Sequence, residues 1–253
     1  FYKGSLPPED KKSIAIVGAR RCSEYGRYYA KHLAELAVKA GCIIISGLAA
    51  GIDGAAHSGA IAAEGETYAV MGCGADYCYP RQNQSLYQAM TQKGGILSEY
   101  MPQTKPLGKL FPQRNRLISG LSDVVVVIEA KERSGSLITA DFALEQGKDI
   151  YALPGRVGDV LSGGCNRLIR QGAGIIVSPE EWLKDLEIDL ANIVVSNAFS
   201  KKVLEKDEGV VYSVLDLQPK SAQQILEETK LPVDRMCEVL LTLENAGFIK
   251  EVY

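Results

Sequence analysis

Short runs of consecutive apolar residues recur along most of the chain: Ile14 to Val17, Cys42 to Ile45, Thr67 to Met71, Gly95 to Leu97, Val124 to Ile128, Asp149 to Leu153 and Gly174 to Val177. Most are apolar at every position rather than at alternate ones, which is the pattern of strands covered by helices on both faces. Glycine-containing turns follow them, and helical periodicity then predicts helices over Tyr28 to Lys39, Gly54 to Ala63, Gln84 to Gln92, Arg114 to Leu121, Leu137 to Gln146 and Asn166 to Gln171. Regular alternation of the two predicts an α/β fold over residues 1–183: a Rossmann-like, doubly wound, mostly parallel sheet. Such sheets bind ligands outside the carboxyl ends of their strands, so the segments just after each strand carry the functional expectation.

Beyond Trp182 the pattern breaks. Residues 184–207 read as a charged linker, and residues 208–253 as a small winged-helix-like domain. Its helices are expected over Gly209 to Asp216, over Ser221 to Thr229 with Ser221 as cap, and over Val233 to Asn245 after Pro232. Gly247 is expected to stop the last helix and Phe248 to Tyr253 to form a strand.

Composition narrows the chemistry. With 253 residues, 46% of them hydrophobic, the chain buries a core without help from disulfides or metal. Six cysteines without a CxxC pair read as reduced core residues, and two histidines, His32 and His57, are too few for a metal cluster. No apolar run reaches the ~20 residues of a membrane span and no signal-peptide pattern opens the chain, so a cytoplasmic protein is expected. The first residue is Phe1 and not Met, so a natural segment before it is expected. Net charge is −3, but it is unevenly spread: residues 1–182 hold 20 basic and 18 acidic residues, the remainder 8 and 13. Ten of the 11 arginines lie between Arg20 and Arg170. The acidic excess of the tail argues against base readout by its last helix.

The post-strand segments carry the donors. Gly18-Ala19-Arg20-Arg21 departs from a dinucleotide fingerprint because Arg20 replaces the second glycine, so the site offers a planar guanidinium to phosphate instead of bare backbone. Ser46 to Asp53 brings Gly47 close to a ligand, with Asp53 read as a helix cap and His57 as a packed core histidine. Lys109, Phe111, Arg114, Asn115 and Arg116 cluster at one helix start, combining charge for a backbone with a ring for a base. The alternative at that point is that Phe111 anchors the loop while Arg114 or Arg116 pairs with a buried acid. Ser134, Gly135 and Ser136 offer hydroxyls and helix-start N–H groups, or equally a helix cap, and Asn166 adds a further donor. Cys73 lacks a base, and Glu129 reads as readily as a strand-end partner of an arginine. No nucleophile, general base or carboxylate pair emerges.

Taken in order, IAIVGAR from Ile14, SGLAAGID, FPQRNRLISGLS, SGSLITADFALEQGKDIYALPG and GGCNRLIRQGA closely resemble the DprA (also called Smf) family of DNA-processing proteins over residues 1–182, with a tail like the family's winged-helix domain. The resemblance implies an extended Rossmann fold that binds single-stranded DNA without catalysis or cofactor, forms a homodimer, protects incoming DNA and loads the RecA recombinase during natural transformation. It places the phosphate-binding arginine on Arg20 and the basic and aromatic loop residues on Lys109 and Phe111. Two departures are Gly108 before Lys109 and Ala19 where the family more often has serine. The rival is a Rossmann-like nucleotide hydrolase of the phosphoribohydrolase type, which requires a PGGxGTxxE motif where this chain has Ser134 to Thr139. A pure protein-interaction scaffold is disfavoured by the arginine clustering.

Overall fold

The computed structural model describes residues 1–188, 206–215, 219–245 and 249, and the chain divides into two compact units, Phe1–Ile193 and Val194–Tyr253. In the first unit, eight strands form one sheet: β1 (Tyr2–Gly4), β2 (Ser13–Val17), β3 (Ile43–Ser46), β4 (Thr67–Val70), β5 (Gly94–Leu97), β6 (Val124–Val127), β7 (Asp149–Ala152) and β8 (Gly174–Ile175). Their order is β1-β5-β4-β3-β2-β6-β7-β8, parallel throughout except for β1, which runs antiparallel along β5. The helices are α1 (Glu24–Lys39), α2 (Ile52–Ala62), α3 (Gln84–Met90), α4 (Leu110–Gly120), α5 (Gly135–Glu145), α6 (Gly163–Arg170) and α7 (Pro179–Asp185). This is the expected doubly wound, Rossmann-like sheet.

The all-apolar strands explain themselves in the packing. Ile14 and Ile16 of β2 enter a cluster with Leu33 and Ala34 of α1 and Trp182 of α7. Ala15 and Val17, pointing to the other face, join Ile118 of α4, Leu137 and Ala140 of α5 and Cys165 of α6. A strand buried on both faces has no polar positions to alternate. On the first face α1 and α2 pack tightly: a Cβ on Gly59 would lie 2.2 Å from the Lys31 carbonyl oxygen, so only glycine permits that approach.

Several helix starts differ from expectation. α1 begins at Glu24 rather than Tyr28, because the Ser23 hydroxyl accepts the Gly26 N–H and caps the helix ahead of it. α4 begins at Leu110 and takes Pro112 into its first turn, where a missing N–H costs nothing. Asp53 is not the cap of α2; that place belongs to Gly51, and the Asp53 carboxylate instead accepts the Gly47 N–H at 3.1 Å. Glu129 is engaged by the N–H and hydroxyl of Ser23 and not by an arginine. Cys42, Cys73 and Cys165 are buried as expected, whereas Cys237 is exposed.

His57 is the packed core histidine that was expected. The Thr67 hydroxyl donates to the Ile44 carbonyl at 3.0 Å, so Nδ1–H of His57 must donate to Thr67 Oγ1 at 2.7 Å, and the Nε2 lone pair is left without a partner. Burial, reinforced by the Arg114 charge, lowers its pKa to about 3. The unfolded chain takes up this proton near the ordinary value of about 6.5. The unfolded state therefore binds more protons between those limits, and stability is lost as pH falls from about 6.5 toward 3. Urea midpoints measured from pH 7 to 4 are expected to fall less steeply for His57→Gln than for wild type, and equal slopes would contradict this.

The second unit contains α8 (Lys206–Val214), α9 (Ala222–Thr229) and α10 (Val233–Asn245). Val211, Ile225, Met236, Val239 and Leu243 form its core, with Ile249 packed against it. Ser221 caps α9 in a reciprocal box with Gln224. Of the leucines on α10, Leu243 is buried, Leu240 packs partly buried against the same core and Leu241 is 60% exposed. The expected stop at Gly247 and, apart from Ile249, the strand over Phe248 to Tyr253 lie outside the described residues. Of the linker expected over residues 184–207, residues 184 and 185 belong to α7 and 206 and 207 to α8, and residues 189–205 lie outside the described residues. Among the described residues no helix is long and apolar enough to cross a membrane.

Candidate nucleic-acid interface

Successive crossovers carry the chain from β2 outward through β3 to β5, and the chain then returns to β6 on the other side of β2. That reversal opens a crevice at the carboxyl ends of β2 and β6. A cavity of about 480 Å³ fills it. From the segment after β2 come Gly18, Arg20 and Arg21, from the segment after β6 Lys131, Arg133 and Ser134, and from the N-terminal halves of α4 and α5 Phe111, Arg114, Asn115, Gly135 and Ser136. A smaller cavity of about 110 Å³ shares Arg20, Phe111 and Arg114 as walls and adds Gly47, Tyr79 and Pro80.

The electrostatics are one-sided. Five cationic side chains line the large cavity against one carboxylate, Asp53. The positive ends of α4 and α5, each 11 residues long, add to the same field. Arg20 is exposed and forms no ion pair among the described residues, while the nearby Glu24 carboxylate is paired with Arg27 at 3.4 Å. Arg116, outside the cavity, pairs with Glu99.

Arg114 is different in kind. Only 3% exposed, it lies flat over Gly47, where an added Cβ would fall 2.3 Å from its Nη1, and it donates to the Val70 carbonyl. Its Nε has no hydrogen-bond partner. Burial lowers its pKa to about 10, with Asp53 opposing the shift, and burial raises the pKa of Asp53, with Arg114 opposing in turn. The two are the buried charges of the site, and each is the other's main countercharge.

Phe111 sits between cations. The Arg20 guanidinium lies 5.3 Å from its ring centroid and that of Arg114 6.0 Å, while Tyr79 packs at 5.4 Å with a 33° tilt. The ring is thus covered by Arg20, so a base can stack there only once Arg20 turns away. Asn115 reaches across to donate to the Gly135 carbonyl at 3.1 Å, tying the starts of α4 and α5 together, and the hydroxyls of Ser134 and Ser136 meet at 2.8 Å.

A profile of the DNA recombination-mediator protein A family matches residues 1–187. The chain belongs to that family. It is 45% identical to the DNA processing protein DprA of Bacillus subtilis over 187 residues, which are 74% of this chain and 63% of that one. It is 38% identical to protein Smf of Escherichia coli over 261 residues, spanning 100% of this chain and 69% of that one. Against the X-ray structure of DprA from Streptococcus pneumoniae the TM-score is 0.69 at 43% identity, covering 73% of this chain and 65% of the other. Against DNA processing protein A from Helicobacter pylori, a structure described for its single-stranded DNA binding mode, it is 0.68 at 34% identity, covering 74% and 85%. A molybdenum cofactor binding protein from Rippkaea orientalis, 21% identical with a TM-score of 0.52, shares the fold alone.

Within this DprA framework, nine of the residues expected at the site meet: Gly18, Arg20, Phe111, Arg114, Asn115, Ser134, Gly135 and Ser136 around the large cavity, and Gly47 in the small one. Two do not line either. Lys109 is exposed at the cap position of α4, and both amide atoms of Asn166 are spent on Gly155, accepting its N–H at 3.2 Å and donating to its carbonyl at 2.9 Å. Arg21, Lys131 and Arg133 were not expected. The last two stand two apart in Lys131-Glu132-Arg133, directly after a strand, which is the signal that would have found them. Tyr79 precedes a cis proline and gave no such signal.

Proposed function

We propose that this chain binds single-stranded DNA without altering it chemically, taking the backbone into the cavity between β2 and β6 and a base onto Phe111. The observation that carries the reading is Phe111 set between two guanidinium groups at a cavity walled by five cations. An arriving phosphate draws Arg20 off the ring, and the vacated face accepts a base, so phosphate capture and stacking occur together. Membership of the DprA family and the likeness to the H. pylori structure support this reading. By the same family resemblance the chain acts as a homodimer in the cytoplasm, protects incoming strands and hands them to RecA. Catalysis is not part of the proposal: the cavity's one carboxylate, Asp53, is buried and engaged by the Gly47 N–H.

Phe111→Ala tests the stacking half. Removing the ring is expected to cost about 1–3 kcal/mol, roughly 5- to 150-fold in Kd for oligo-dT. Fluorescence anisotropy reads this directly, with Phe111→Tyr expected to retain most of the affinity. Unchanged binding by Phe111→Ala would remove the ring from the interface.

A further inference from the structure

We infer that the large cavity is matched to a phosphate monoester, the dianionic end of a nucleotide, in preference to an internal phosphodiester. For the source of that nucleotide the inference rests on the single-stranded DNA reading. Arg20, Arg21, Lys131 and Arg133 line the space, and none of them forms an ion pair among the described residues. A phosphodiester in a strand carries one negative charge, whereas a monoester carries about −1.5 to −2 at pH 7 and presents three acceptor oxygens. The surplus of unpaired cations suits the second.

The volume is compatible with this: at about 480 Å³ the cavity falls within the ~300–1,000 Å³ of small-molecule sites, room enough for a single nucleotide or a strand end. Arg114 supplies an independent sign of an intended anion: a guanidinium 3% exposed, walling both cavities, with its Nε unpartnered. The starts of α4 and α5 converge on the same space, and there the Ser134 and Ser136 hydroxyls, paired only with each other and with the Ser136 N–H, provide further donors to a third oxygen.

One ligand chemistry then has two sources, a phosphorylated strand end and a free mononucleotide. The test displaces an internally labelled, hydroxyl-ended oligo-dT from the full chain. The competitors are the same oligonucleotide with a 5′-phosphate, with a 3′-phosphate, with hydroxyls at both ends, and circularised, together with dTMP. Calorimetry of dTMP serves as an arm that needs no tracer. One phosphorylated form is expected to compete about tenfold better than the hydroxyl-ended and circular forms, the scale of one added charge-assisted hydrogen bond. That advantage should fade as pH falls through about 6, where the monoester loses its second charge, and it should shrink in Arg133→Ala. Strong competition by the phosphorylated strand with weak dTMP binding supports the strand end as source. Binding of dTMP with no strand binding supports the monoester site and overturns the single-stranded DNA reading. Equal competition by circular, hydroxyl-ended and phosphorylated strands overturns the inference and leaves that reading intact.

Discussion

Arg20→Ala is expected to lower affinity for oligo-dT by roughly 10- to 150-fold, since a hydrogen bond to a charged group contributes about 1.5–3 kcal/mol. The loss should also change the salt dependence. For a single strand each neutralised phosphate adds about −0.7 to the slope of log K against log salt, so the variant should be shallower by about that amount. Part of the loss is offset, because Arg20 covers Phe111 in the free protein and its removal bares the ring. Arg20 and Phe111 therefore do not act independently: breaking their contact offsets part of each single loss, so the double variant should lose more than the sum of the single losses. Arg20→Lys keeps the charge but not the planar fork, so it should restore the slope more fully than the affinity. An unchanged slope in Arg20→Ala would place the phosphate contact elsewhere.

Arg114→Met is expected to act on the fold first. It removes the bond to the Val70 carbonyl and strips Asp53 of its main countercharge. Arg114 and Asp53 are coupled without direct ion-pair contact, so removing one partner should cost less than the roughly 3–5 kcal/mol of a broken buried salt bridge, whereas replacing both partners is often close to neutral. Asp53→Asn introduced together with Arg114→Met should therefore recover much of the loss, giving a clear coupling in urea midpoints. The recovered double variant should still bind oligo-dT poorly, which separates the structural role of Arg114 from its place in the cavity wall. Additive effects, or a cost below about 1 kcal/mol for Arg114→Met alone, would mean that the two charges are not coupled.

Much of this fold is legible along the chain because both faces of its sheet are covered. Ile14-Ala15-Ile16-Val17 admits no polar residue when successive side chains enter opposite cores, and the same logic exposes β3 and β6. β1 escapes it: Tyr2–Gly4 is exposed and is held by backbone pairing to β5, which leaves no apolar mark. α7 was readable in principle, since Ser178 caps it, Pro179 opens it and Glu180 and Glu181 fill its first turn, but it lies where the strand-helix rhythm fades.

The site is legible to a lesser degree. Rules about strand ends locate Arg20, Phe111 and Ser134 because topology alone brings those segments together. They cannot tell a donor that faces a ligand from one consumed by a neighbour. Asn166 is held by Gly155 through both amide atoms, and Gly47 is small because Arg114 lies on it; both facts depend on distant segments meeting. Asp53 looked like a cap for the same reason, since its actual partner, the Gly47 N–H, is presented by a turn rather than by its own helix.

The most direct measurement is the affinity of the wild-type chain for a labelled oligo-dT and for a duplex of the same length across a salt series. The cavity geometry predicts tighter binding of the single strand at every salt concentration, because only an unpaired base can reach the Phe111 ring, with affinity falling as salt rises. Equal binding of both oligonucleotides, or binding of neither, would contradict a single-stranded DNA site between β2 and β6.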